Sequence, residues 1–314
     1  MVNSLRFCVA ADDDGARVDR VVRTKLDVSR STLQAWFADG CVSVNAHRVS
    51  KGHIVKLGDT ILVEPPMAAL PGAEVLDVRL ETAQLLVVHK PAGQPSVALG
   101  SSQRWALSQS IAAYCPEVSA IGYSPADAGL LHRLDNDTSG LLLVAKQQAA
   151  FTELLHGLRS GWLHKRYLAL VSSAPPSSAG SVTAALEPHP SNRRKVAIVP
   201  GADRKPLGYA ATTSYRVLGR GPELWLLELS ASPAYRHQIR VHLASVGCPL
   251  LGDTLYGGKE HAGLARHALH ASSLAWPGGV EVPAFNVEAA VPADLQSVID
   301  AGYVLPINPA PALG

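Results

Sequence analysis

The sequence predicts an α+β protein of two domains. Its 314 residues are enough for about two domains, each with its own hydrophobic core. Apolar residues recur at helical spacing in residues 17–26 and 151–158, whereas continuous apolar runs at 85–88 and 141–144 are typical of buried strands. A stretch rich in Pro and Ala at 65–72 separates the two halves of the chain and is predicted to be a linker.

Composition excludes several classes of protein. The chain is 47% hydrophobic and 17% charged, which is typical of a globular protein rather than a disordered one. No apolar stretch reaches the roughly 18 residues of a membrane span, so no membrane partner is expected. Three successive acids within residues 1–14 argue against a signal peptide. The four cysteines are scattered without a Cys-x-x-Cys pair, so reduced thiols and a cytoplasmic location are expected.

The N-terminal half begins with an amphipathic helix at residues 17–26. Its apolar face consists of Val18, Val21, Val22 and Leu26, and its basic face consists of Arg17, Arg20 and Arg23. Ser31 and Gln34 have the form of a capping box for a second helix, which Gly40 is placed to end. Residues 41–44 and 60–63 then alternate as short strands.

Positive charge is concentrated in this half. Residues 17–56 hold eight basic side chains against three acidic ones, a net charge of +5 in a chain whose total is only +2. Such a concentration suits a polyanion, because each phosphate that a protein neutralises releases counterions. A solvated basic face explains the same charge equally well.

The second half alternates strands and helices. Strands are predicted at 85–88, 141–144, 165–171 and 223–230, and helices at 151–158 and 239–246. Residues 187–206 carry Arg193-Arg194-Lys195 among Pro, Ser and Gly. This stretch predicts a basic loop or hairpin, which either touches a nucleic-acid backbone or is simply solvated.

The most informative stretch is residues 132–143, His132-Arg133-Leu134-Asp135-Asn136-Asp137-Thr138-Ser139-Gly140-Leu141-Leu142-Leu143. Asp135 follows Arg133 in a short polar turn, and a buried strand begins after Gly140. An acid beside a cation at the mouth of a buried strand is a candidate reactive carboxylate. A capped turn with a solvated Asp accounts for the same pattern.

This stretch resembles the central motif of the RluA-type pseudouridine synthases, and it matches every fixed position of that motif. The resemblance implies an enzyme that isomerises uridine in RNA with Asp135 as its catalytic residue. Further motifs in the same order extend the resemblance over residues 15–295. They are Lys90-Pro91-Ala92-Gly93, Lys165-Arg166-Tyr167, His237-Gln238-Ile239-Arg240-Val241-His242-Leu243, residues 249–257 and residues 267–271.

The resemblance also implies the other site residues. Arg240 is expected to pair with Asp135, and a cation within about 4–6 Å lowers the pKa of a carboxylate and orients it. Tyr167 is expected to lie against the reacting base. Arg133, His132 and Lys90 are expected to bind substrate. The chain departs from the family pattern at Gln94-Pro95-Ser96 and at Ala234-Tyr235-Arg236, where Gly, Arg and Thr are usual, so local substrate contacts are open there.

Residues 15–64 resemble the alpha-L RNA-binding domain of a small-subunit ribosomal protein. The residues that carry this likeness include Arg17, Asp19, Arg30, Val44-Asn45 and Gly58-Asp59. The resemblance implies that Arg17, Arg20, Arg23 and Arg30 bind RNA phosphates, which add affinity but little sequence choice.

Together these resemblances imply a catalytic domain with a mixed, largely antiparallel β-sheet and flanking helices, and a small N-terminal α/β RNA-binding domain. The expected limits are 1–66 for the RNA-binding domain, 67–74 for the linker, 75–305 for the catalytic domain and 306–314 for a flexible tail. Large-subunit ribosomal RNA is the expected substrate. Transfer RNA is the alternative, and so is a catalytically inactive RNA-binding or ribosome-assembly protein. A monomer that uses no cofactor and no metal is expected.

Other chemistries fit the residues less well. Asp135 and Asp137 lie two residues apart on a turn, which does not place two carboxylates across a sugar. His237 and His242 lack the Glu and the spacing of a helical zinc motif. His261, His267 and His270 have no acid or Cys near them in sequence, so surface histidines are expected rather than metal ligands.

Overall fold

The protein is described by a computed structural model that covers residues 5–26, 28, 33–34, 36–37, 40–63, 76–98, 106–199, 210–231 and 234–307. The chain divides into two compact units, one within Met1–Val75 and Val97–Tyr114 and the other within Leu76–Ser96 and Cys115–Gly314. Arg30, Ser31, the predicted linker at 67–74 and residues 308–314 lie outside the described residues. The predicted domain limits therefore stay predictions.

The first unit contains a four-stranded antiparallel sheet in the order β1-β4-β2-β3, with helix α1 packed against it. Its elements are β1 (Leu5–Cys8), α1 (Val18–Leu26), β2 (Val42–Val44), β3 (His47–Arg48) and β4 (Thr60–Val63). Helix α2 (Leu107–Tyr114) also belongs to this unit. The valine face of α1 is buried against Val42 and Ile61. The predicted helix at 17–26 and both predicted strands are confirmed.

The second unit is built on a ten-stranded sheet. Eight strands follow the order β16-β12-β13-β8-β14-β7-β6-β5, β15 pairs with β14, and β9 pairs with β12. Its strands are β5 (Asp77–Glu81), β6 (Leu85–Lys90), β7 (Ser139–Ala145), β8 (His164–Val171), β9 (Ala179–Thr183), β12 (Thr212–Arg220), β13 (Trp225–Ala231), β14 (Leu269–Trp276), β15 (Phe285–Glu288) and β16 (Leu305–Pro306). Among the described strands only β7 and β14 pair in parallel, so the predicted mixed, largely antiparallel sheet is confirmed.

A separate two-stranded sheet is formed by β10 (Leu186–Pro188) and β11 (Val196–Ile198). Three helices complete the second unit, α3 (Gln148–Ser160), α4 (Gln238–Ser245) and α5 (Ala293–Ala301). Phe151 and Leu154 of α3 pack on Leu141 of β7. Ile239 and Leu243 of α4 pack in a second core that includes Tyr167 of β8. No helix in the described part of the chain has the length and apolar character needed to cross a membrane.

Gly140 sets the position of the central turn. In the parallel pairing of β7 with β14 it lies opposite Ala271, and its φ of +122° is one that L side chains rarely adopt. A Cβ at this position would collide with the backbone of Ala271. Glycine therefore lets β14 approach at the point where the polar turn enters the sheet.

Candidate active site

The central turn rests on Lys90, which lies at the end of β6 and has no exposed surface. Its ammonium donates to the carbonyls of Pro91, Gln94 and Asn136 at 2.8, 2.7 and 2.8 Å. Burial lowers the pKa of Lys90 to about 7, although the charges of Asp137 and Asp135 act in the opposite direction. Lys90 thus joins its own turn to the central turn, and its contact with substrate stays a prediction.

Ser96 and two further groups hold the same turn. The hydroxyl of Ser96 donates to Leu134 O at 2.8 Å and accepts from Leu134 N at 3.0 Å. Arg266 donates to Asp137 O at 3.2 Å, and the Thr138 hydroxyl lies 2.7 Å from Nε2 of His267. The departure from the family pattern around Gln94 and Ser96 therefore supplies contacts that support the turn.

Asp135 lies on this turn and meets Arg240 of α4. Nη1 of Arg240 donates to Oδ2 of Asp135 at 2.9 Å, across 105 positions of sequence. The rest of the Arg240 guanidinium faces Asp253, with Nε to Oδ2 at 2.7 Å and Nη2 to Oδ1 at 2.8 Å. The side chains of Asp253 and Arg240 are 1% and 8% exposed, whereas that of Asp135 is 20% exposed. The buried carboxylate of Asp253 thus fixes the Arg240 guanidinium, and that guanidinium in turn orients the more exposed carboxylate of Asp135.

Arg240 is a permanent cation. Burial lowers its pKa, but the hydrogen bonds and charges of Asp253 and Asp135 outweigh burial and raise that pKa. A bidentate pair fixes the plane of a guanidinium as well as its charge. Asp135 therefore faces a positive group whose orientation is set before any substrate binds.

Tyr167 of β8 lies in the core and is 4% exposed. Burial raises the pKa of its phenol, and the negative charge of Asp135 raises that pKa further. The phenol therefore stays protonated at neutral pH, so Tyr167 can donate a hydrogen bond but does not act as a base there.

His237 extends the site on the side of α4. It precedes the helix with a φ of +56°, an uncommon conformation for a residue other than Gly. Its Nε2 lies 3.7 Å from Oδ2 of Asp135, and its Nδ1 lies 2.9 Å from the Tyr256 hydroxyl. Burial lowers the pKa of His237 to about 4, so the imidazole is neutral at pH 7. The ring of Tyr256 also lies 5.2 Å from the Arg240 guanidinium.

The structure does not gather all the predicted residues. Arg133 is exposed, and His132 is half-buried with its Nε2 enclosed and without a hydrogen-bond partner in the described chain. Arg17, Arg20 and Arg23 belong to the first unit. Arg17 donates to both carboxylate oxygens of Asp19, at 3.0 and 2.9 Å.

The expectation of surface histidines was wrong for His267 and His270, which are 4% and 0% exposed. His267 bonds Thr138, and Nδ1 of His270 lies 2.9 Å from the Ser139 hydroxyl. Both histidines support the polar turn and the start of β7. No cluster with metal-ligand composition occurs among the residues that are described.

Three contributors to the site were missed by sequence reasoning: Asp253, Tyr256 and His237. Asp253 and Tyr256 lie in the stretch 249–257, and His237 lies in the motif around Arg240. The sequence held a signal for Asp253, which is the one charged residue between Gly252 and Gly257. A carboxylate that is buried in such a stretch needs a cation beside it.

Comparisons with known proteins identify the family to which the chain is similar. A sequence model of the family described as RNA pseudouridylate synthase matches residues 84–245. The ribosomal large subunit pseudouridine synthase D of Xanthomonas campestris pv. campestris is 32% identical, and the alignment covers 95% of this chain and 93% of that protein. The uncharacterized RNA pseudouridine synthase YlyB of Bacillus subtilis is 29% identical over 95% of this chain and 98% of its own.

A solved structure shares the fold. Human RNA Pseudouridylate Synthase Domain Containing 4 superposes with a TM-score of 0.58 at 22% identity. The match covers 74% of this chain and 95% of the human one.

Proposed function

The chain belongs to the RNA pseudouridylate synthase family and is an RNA pseudouridine synthase, and from that premise we propose that Asp135 is its catalytic residue and large-subunit ribosomal RNA its substrate. The reaction breaks the bond between C1′ of the ribose and N1 of uracil and joins C1′ to C5 of the same base. A proton leaves C5 and another arrives at N1, so the product is an isomer of the substrate.

The contact between Asp135 and Arg240 is the observation that carries the proposal. The reaction needs an ionised carboxylate at the sugar or the base, where it acts as a nucleophile or removes a proton. Arg240 donates one hydrogen bond to Asp135 and is itself fixed by Asp253. Asp135 thus faces a fixed cation and is oriented by it, while 20% of its side chain remains open to a substrate.

Tyr167 and His237 suit supporting roles. Tyr167 keeps its proton and lies near enough to Asp135 for that charge to raise its pKa, and we propose that the small exposed part of its ring contacts an extruded uracil. The target uridine must leave its helix to reach a buried residue. His237 is neutral and lies close to the same carboxylate oxygen as Arg240, so it adds a polar group without a second positive charge.

The relatives support the choice of substrate. Proteins of Xanthomonas campestris and Yersinia pestis that align over more than nine-tenths of their length with this chain are named ribosomal large subunit pseudouridine synthase D. We infer large-subunit ribosomal RNA for this chain from that name, with transfer RNA as the alternative.

The first unit suits the binding of RNA backbone. The side chain of Arg20 is exposed and that of Arg23 is half-buried on α1, and neither forms an ion pair within the described residues. Free cations on one helix face suit phosphates, whereas Arg17 is already paired with Asp19.

Changing Arg20 and Arg23 to Glu should therefore weaken RNA binding and reduce its salt dependence. Thr24→Ala, exposed on the same helix, should change neither.

Replacement of the carboxylate tests the catalytic residue. Asp135→Asn should abolish pseudouridine formation, while the melting temperature and the affinity for RNA stay near those of the wild type. Asp137→Asn removes a carboxylate from the same turn and should retain most of the activity. Chemical labelling of pseudouridine measures product formation by both variants in single-turnover reactions. Turnover by Asp135→Asn would refute the assignment of Asp135 as the catalytic residue.

Mapping of pseudouridines tests the substrate. Large-subunit ribosomal RNA and transfer RNA are compared between cells that contain and cells that lack the protein. The missing sites should lie in large-subunit RNA and return with the wild-type gene but not with Asp135→Asn. Loss of sites from transfer RNA alone would replace the proposed substrate.

A further inference from the structure

The hairpin of β10 and β11 stands apart from the ten-stranded sheet. Its turn is well defined, because Lys195 N donates to Asn192 O at 2.9 Å and Arg194 N donates to the Asn192 side chain at 2.9 Å. Arg193 and Arg194 are exposed, and Lys195 is half-buried beside them. These three residues, 193–195, are called the basic tip below.

Arg236 binds the backbone of the basic tip. Its Nη2 donates to the carbonyl of Arg193 at 3.2 Å and to that of Arg194 at 2.9 Å. Arg236 is one of the residues at which this chain departs from the family pattern, which usually has Thr there. A guanidinium is thus placed on a backbone segment that carries three other cationic side chains, although like charges repel. In the described chain none of these four cations has a carboxylate partner.

Tyr256 forms a second attachment between the hairpin and the active site. Its hydroxyl accepts from Val196 N at 2.8 Å and also lies 2.9 Å from Nδ1 of His237. Val196 and Leu186 share a small apolar core with Val241 of α4. The hairpin therefore packs on the helix that carries Arg240, and Arg236 and His237 immediately precede that helix.

We propose that Arg236 is a positioning residue that fixes the basic tip so that Arg193 and Arg194 grip phosphates of the RNA strand entering the active site. The inference rests on the proposed function, since it takes RNA as the polyanion. A cluster of unpaired cations on a fixed backbone suits a phosphate chain, because bound phosphates relieve the repulsion within the cluster. Arg236 places Nη2 on the backbone of the tip, so we expect its effect on RNA to pass through Arg193 and Arg194.

The tip can be tested without disturbing its attachment. In a variant with Arg193→Ala and Arg194→Ala, both carbonyls that Arg236 binds are retained, because they belong to the backbone. This variant should bind a structured ribosomal RNA fragment about tenfold more weakly, and its salt slope should fall by about two, one unit for each lost phosphate contact. The single-turnover rate at saturating RNA should stay within about threefold of the wild type, because Arg240 keeps Asp253.

A double-mutant cycle separates positioning from direct contact. Arg236→Ala alone should weaken binding and reduce the salt slope, with melting temperature as the control for folding. Added to the tip variant, Arg236→Ala should have almost no further effect, because the groups through which it acts are gone. Arg236→Lys keeps a donor and should recover part of the affinity. Additive losses would show that Arg236 touches RNA itself, and an unchanged affinity of the Arg236→Ala variant in the wild-type background would also overturn the proposal.

Two controls complete the experiment. A variant with Arg79→Ala and Lys146→Ala also loses two positive charges. Both residues lie near β5, an edge strand of the ten-stranded sheet, and each is paired with an acid. It should bind RNA as the wild type does, and a loss equal to that of the tip variant would overturn the assignment of the tip. Asp135→Asn distinguishes the two proposals, since it should bind with the wild-type salt slope but form no product. Turnover by that variant refutes the catalytic assignment and leaves the binding result for the tip standing.

Discussion

Asp253 offers the most demanding test of the site, because it is buried, bonds Arg240 twice and contacts no substrate in the scheme proposed. Asp253→Asn preserves the shape of the side chain but removes its charge and turns an amide N–H group toward a guanidinium. Removing one partner of a buried ion pair costs roughly 3–5 kcal/mol, since the other charge is left uncompensated. Arg240 keeps its bond to Asp135, so we expect the lower end, about 3 kcal/mol.

This loss is large enough to measure. For a unit of about 200 residues it corresponds to a fall of roughly 6–12 °C in melting temperature. The chemical step should slow by about 10²-fold, because Arg240 no longer holds Asp135 in one orientation. Thermal unfolding and single-turnover formation of pseudouridine measure the two effects on the same preparation.

A matched control separates this effect from the loss of any Asp–Arg pair. Asp294 also binds an arginine through both oxygens, with Arg266 donors at 2.6 and 3.0 Å. The Asp294 side chain is 40% exposed, and Arg266 retains carbonyl acceptors in His267 and Leu269. Asp294→Asn should therefore cost about 1 kcal/mol or less and leave the rate unchanged. The reasoning is refuted if Asp253→Asn melts within about 2 °C of the wild type or reacts at the wild-type rate.

Three further predictions concern the same unit. Arg240→Ala should remove most of the activity in single-turnover assays, whereas Arg236→Ala should cost far less in the chemical step; equal losses would assign the catalytic contact to Arg236. Burial lowers the pKa of His237, His267 and His270 to about 4. Because the unfolded chain binds protons on these groups from about pH 6.5 downward, stability should fall between pH 6.5 and pH 4, and a urea midpoint that is flat or rises on acidification would contradict this. Gly140→Ala should destabilise the unit strongly, because its Cβ would meet the backbone of Ala271. Gly247→Ala, also at positive φ but with open space around it, should cost only about 1 kcal/mol. Similar urea midpoints for the two variants would argue against the close approach of β14.

The types of several elements followed from local patterns, although their limits differ and strands such as β12 and β14 were not predicted. The apolar periodicity of residues 151–158 gave α3, and the apolar runs at 141–144 and 165–171 gave β7 and β8. These patterns are local because a helix or strand buries one face that repeats along its own sequence. The family was likewise apparent from the twelve residues around Asp135, and the comparisons confirmed it.

The roles of individual side chains in the site depended on contacts that no local pattern encodes. Lys90 is wholly occupied by carbonyls, two of them in its own turn and one in the central turn. Asp253 emerged as the group that holds Arg240 only once the chain was folded. Arg236, which departs from the family pattern, acquires a role because its guanidinium reaches a hairpin 42 positions away in sequence.

The sequence by itself therefore determined the fold class, several of the elements and the family, together with Asp135, Tyr167 and Arg240 as candidates. Only the tertiary structure decided that Asp253 meets Arg240 and which polar groups are enclosed. The physical reason is that pKa shifts and charge-assisted hydrogen bonds depend on burial and on distances of a few ångströms. Both quantities are set by how β7, β14 and α4 pack, and residues 105 positions apart, such as Asp135 and Arg240, become neighbours only in that packing.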